Sequence, residues 1–107
     1  MDNKTPMDLL KQLAPEFAAN QMEAKKLLFE NPNYQKVPKK YKILAGIAAA
    51  AVLGSELCTE MWTKMARQQS VSKEEISEII QVARYMKMAT VNDTVKTTFA
   101  MLTGDEQ

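Results

Sequence analysis

The stretch "ILAGIAAAAVLGSELCTEMW", residues 43 to 62, decides how the chain is read. Its first part places Ile43, Leu44, Ile47, Ala48, Ala51 and Val52 at i, i+3, i+4 spacing, the signature of an α-helix with one apolar face. Alanines 48 to 51 leave almost no side chain on any face, so neighbouring backbones can come close, which suits a central helix. The apolar run from Ile43 to Leu53 falls short of the roughly 20 residues that a membrane-spanning helix needs, so it reads as a buried helix. Pro38 opens that helix and Gly54 ends it. Ser55 then stands where the N-cap of a second helix belongs, and that helix runs to about Gln69.

The flanks carry the same punctuation. Thr5-Pro6-Met7-Asp8 combines an N-cap threonine, a proline at the first helical position and a carboxylate in the first turn. A short helix to about Leu13 follows, and another from Pro15 through Phe29 stops at Asn31-Pro32-Asn33. Ser72-Lys73-Glu74-Glu75 is a capping box, and the helix it opens carries Ile76, Ile79, Ile80, Ala83 and Met86 on one stripe. Thr90-Val91-Asn92-Asp93 resembles one more N-cap, opening a last helix with Val91, Val95, Phe99 and Leu102 that ends near Thr103. With three glycines, four prolines and no hairpin signal, the expected architecture is all-α: one domain over residues 1–107, a bundle of about five to six helices.

Composition narrows the chemistry. At 107 residues, 46% hydrophobic and 25% charged, the chain is an ordinary globular one with a single modest core. A net charge of +1 offers no phosphate-tracking surface, and the stretch from Lys36 to Lys42 reads as a solvated helix entrance, so no nucleic-acid partner is expected. The absence of histidine removes the commonest general base and transition-metal ligand, and no metal or other cofactor is called for. One cysteine excludes an intramolecular disulfide, and no signal or membrane segment is evident, so a cytoplasmic location without a membrane partner is the expectation.

That cysteine, Cys58, is the candidate nucleophile. Positions 55, 58, 62 and 65 lie on nearly one helical face, so Ser55, Cys58, Trp62 and Met65 form a stripe that Leu57 and Met61 widen. A cysteine in the first turn feels the positive end of the helix dipole, and the carboxylates of Glu56 and Glu60 on either side oppose it. Glu56, Glu60, Met61 and Met65 are the side chains that would line a pocket beside the thiol. A lone cysteine on an apolar stripe is more often a small buried hydrophobe, and Trp62 with the two methionines more often core. Glu56, Glu60 and Lys64, at steps of four, read as a solvated face with Glu60 and Lys64 paired.

The order of parts resembles the carboxymuconolactone decarboxylase family, which includes the alkylhydroperoxidase D-like proteins. The likeness runs over residues 37 to 100: "VPKKYKILAGIAAAAVLG", a Cys-x-x-Cys-x-x-x-His-like turn of helix, "SVSKEEISEIIQVARYM" and "ATVNDTVKTTF". In the family's redox branch the second cysteine attacks peroxide, the first resolves it, and the histidine and an upstream glutamate move protons. Carried over, only Cys58 remains, at the second-cysteine position. Ser55 replaces the resolving cysteine, Trp62 replaces the histidine, and the upstream glutamate falls near Lys42 and Ile43, where no carboxylate stands. The two-cysteine peroxidase cycle is therefore not expected. The resemblance implies a homo-oligomer with altered single-cysteine peroxidase or thiol redox activity that uses an external thiol. It leaves open a decarboxylase-type lyase acting on a small carboxylated substrate held by Arg67 or Arg84, or an inactive oligomeric scaffold or ligand binder. Methionines that look exposed, Met22 and Met88, agree with a partner surface.

Overall fold

The computed structural model describes residues 3–104, and among them it contains six α-helices, one 3-10 turn and no strand. The protein is all-α. The chain divides into two compact units, Met1–Lys39 and Lys40–Gln107.

In the first unit, α1 spans Pro6–Leu13 and α2 spans Pro15–Phe29. The start of α1 is fixed by a reciprocal pair: the Asp8 N–H donates to Thr5 Oγ1 at 3.1 Å, and the Thr5 N–H donates to Asp8 Oδ2 at 3.0 Å. Those bonds from the backbone and side chain of Thr5 hold the Asp8 carboxyl below its ordinary value. Ala14 alone separates the helices, because Pro15 disfavours helical geometry in the residue before it. After α2, Asn31 caps the short turn Pro32–Tyr34, and Gln35 Nε2 donates to the carbonyls of Leu28 and Asn31, both at 3.0 Å. The loop is thereby tied back to the end of its own helix. Ala18 is the buried residue of α2, and Met22 is half-buried where exposure was expected.

In the second unit, α3 spans Lys39–Leu53, α4 Glu56–Gln68, α5 Lys73–Thr94 and α6 Lys96–Thr103. The turn from α3 to α4 is a Schellman motif. Gly54 takes the left-handed conformation at φ 79°, the Ser55 N–H donates to the Ala50 carbonyl at 2.9 Å, and the Gly54 N–H donates to Ala51 at 3.2 Å. The same motif ends α4, with Ser70 at φ 62° in the glycine position and the Val71 N–H bonded to the Ala66 carbonyl at 3.0 Å. Arg67 Nη1 donates to the Val71 carbonyl and braces this turn.

The buried side chains here are Ile43, Leu44, Ile47 and Ala50 of α3, Ala66 of α4, Val71, and Ile76 and Ala83 of α5. The helical stripe expected on α3 is borne out, although Ala50 rather than Ala51 faces inward. Lys40 Nζ meets Glu75 Oε2 at 2.5 Å and joins α3 to the start of α5. The other carboxylate oxygen of Glu75 accepts the Ser72 N–H at 2.9 Å while the Glu75 N–H donates to Ser72 Oγ at 3.0 Å, so one carboxylate serves a capping box and an ion pair together. The bond from Lys40, then those from Ser72, lower the Glu75 carboxyl to about 2.

Two expectations fail toward the C-terminus. No helix starts at Thr90; α5 continues through it to Thr94. The hydroxyls of Thr90 and Thr94 donate backward to the carbonyls of Lys87 and Thr90, at 2.7 and 2.9 Å, as mid-helix threonines do. The stripe of α5 also does not continue inward: Ile76 and Ala83 are buried, but Ile80 and Met86 are exposed, as are Val91, Phe99 and Leu102.

Candidate functional site

Helix α4 begins with its cap. The Ser55 hydroxyl accepts the Cys58 N–H at 3.2 Å, and the Thr59 N–H reaches the Ser55 carbonyl at 3.0 Å. Cys58 is thus the third residue of the helix, held at its backbone by the Ser55 hydroxyl. Its thiol is exposed to solvent. The common role of a lone cysteine, a small buried hydrophobe, does not apply.

The reason lies in which line of the helix faces inward. Ser55, Thr59, Trp62 and Met65 are half-buried and Ala66 is fully buried, whereas Leu57, Cys58 and Met61 are exposed. The buried line runs through 55, 59, 62 and 66, and Cys58 sits on its edge. Leu57 and Met61, expected to widen the apolar stripe, lie outside it. Glu56 and Glu60 are exposed, and Glu60 pairs with Lys64 at 3.2 Å, the solvated face that the spacing of four implies.

Trp62 is held by a residue that sequence reasoning passed over. An added Cβ on Gly46 would lie against the six-membered ring of Trp62: 2.5 Å from Cζ3, 3.1 Å from Cδ2, and in overlap with Cε3. The indole therefore lies flat on the bare backbone of α3. A lone glycine inside a helical pattern is the signal that could have found it, since such a residue costs helix stability and often marks a close approach.

The Cys58 thiol opens to solvent. An open depression of about 230 Å³ is lined by Ala51, Gly54, Ser55, Glu56 and Thr59. The structure thus brings Ser55 and Glu56 to that hollow and leaves Cys58, Glu60, Met61 and Met65 off its wall. The two arginines considered as carboxylate anchors are engaged locally, Arg67 with the Val71 carbonyl and Arg84 with Gln81 Oε1 at 2.6 Å. No group of three or more metal-binding side chains occurs among the described residues, and none of their helices is long and apolar enough to cross a membrane.

Comparison with known proteins adds one match. The model of the carboxymuconolactone decarboxylase family fits residues 15–96. No curated protein and no solved structure is similar enough to match.

Proposed function

The chain belongs to the carboxymuconolactone decarboxylase family, and we propose that it carries out single-cysteine thiol chemistry at Cys58, reducing a peroxide at the expense of an external thiol. The observation that carries this reading is the exposure of the Cys58 thiol in the first turn of a capped helix, at the family's nucleophile position. Its sulfur attacks a peroxide oxygen, forming an S–O bond as the O–O bond breaks. Sulfur is oxidised to the sulfenic acid, and the alkoxide that leaves takes a proton from solvent, since no histidine is present to supply one. One external thiol condenses with the sulfenic acid and releases water, leaving a mixed disulfide. A second external thiol attacks that disulfide, returns Cys58 to its reduced form and departs as the oxidised pair.

Ser55 cannot close an internal disulfide, so the resolving thiol must come from outside. A cytoplasmic, thiol-rich setting and a homo-oligomeric protein belong to this reading. The test uses hydrogen peroxide, glutathione and a cyclic diketone that traps sulfenic acids. One adduct per chain at Cys58 is expected, forming faster than on a free thiol such as N-acetylcysteine, with none in Cys58→Ser. A rate no greater than that of the free thiol refutes it.

One observation favours a second reading, an oligomeric scaffold without catalysis. Trp62 stands where the resemblance puts the histidine and is packed on Gly46. The same experiment separates the two, because a scaffold oxidises at the rate of any exposed thiol.

A further inference from the structure

We draw no further inference here: the strongest candidate, the apolar surface patch on α6 and the second half of α5 where Met86, Val91, Phe99 and Leu102 are each at least half exposed, carries none because nothing in the structure shows what covers it.

Discussion

Replacing Gly46 by alanine tests the packing that fixes the candidate site. In an ordinary helix interior this change stabilises by about 0.5–1 kcal/mol, because alanine loses less backbone entropy on folding. Here the new methyl would stand 2.5 Å from Cζ3 of Trp62 and 3.1 Å from Cδ2, well inside contact distance, against a rigid ring with no flexible end to swing away. Forcing a methyl into such a contact costs typically about 1–3 kcal/mol. The net expectation is a loss of up to about 2.5 kcal/mol, the overpacking outweighing the helix gain. The decisive measurement is a double-mutant cycle by urea denaturation, with Trp62→Leu as the second change. Leucine is shorter and can turn aside, so Gly46→Ala should become stabilising by about 0.5–1 kcal/mol in that background. The sign should reverse. Gly46→Ala that stabilises both backgrounds equally would refute a ring seated on the glycine.

Two further outcomes follow from the caps and the ion pair. The Glu75 carboxyl is lowered from 4.5 to about 2 by Lys40 and Ser72, so its contribution to stability is present in full above pH 4.5 and is lost as pH falls toward 2. Glu75→Gln should flatten the fall in melting temperature across that interval, and an unchanged slope would show that the carboxylate is not so held. Ser55→Ala removes the acceptor of the Cys58 N–H and should cost about 0.5–2 kcal/mol; chemical denaturation that finds no loss would contradict the cap.

The helices could be read from the sequence because their ends are written in local chemistry. Thr5 with Asp8, Ser72 with Glu75, and Gly54 followed by Ser55 each satisfy orphan backbone groups within a few residues, and those bonds are the ones observed. The same reasoning misplaced the last boundary for an instructive reason. Thr90 has the composition of a cap, but a cap needs an extended backbone at that residue, and a threonine hydroxyl can equally bond backward inside a continuing helix. Whether the chain turns there depends on what the helix packs against, which lies beyond the local window. Exposure of Val91, Phe99 and Leu102 belongs to the same class: periodicity identifies an apolar face and is silent on what covers it.

The site shows the division more sharply. Spacing alone puts 55, 58, 62 and 65 on one side of α4, but which edge of that side turns inward is set by another helix. The Trp62 ring on Gly46 and the fully buried Ala66 turn the helix toward 55, 59, 62 and 66, and the thiol comes out into solvent. Ser55 and Trp62 thus have structural work of their own, Ser55 as a cap and Trp62 as a packing surface against α3. Cys58 contributes its backbone N–H to the cap and presents its side chain to water. Substitutions at 55 and 62 should therefore register first in stability, and a substitution at 58 first in thiol chemistry. The two properties can be perturbed separately on one helix.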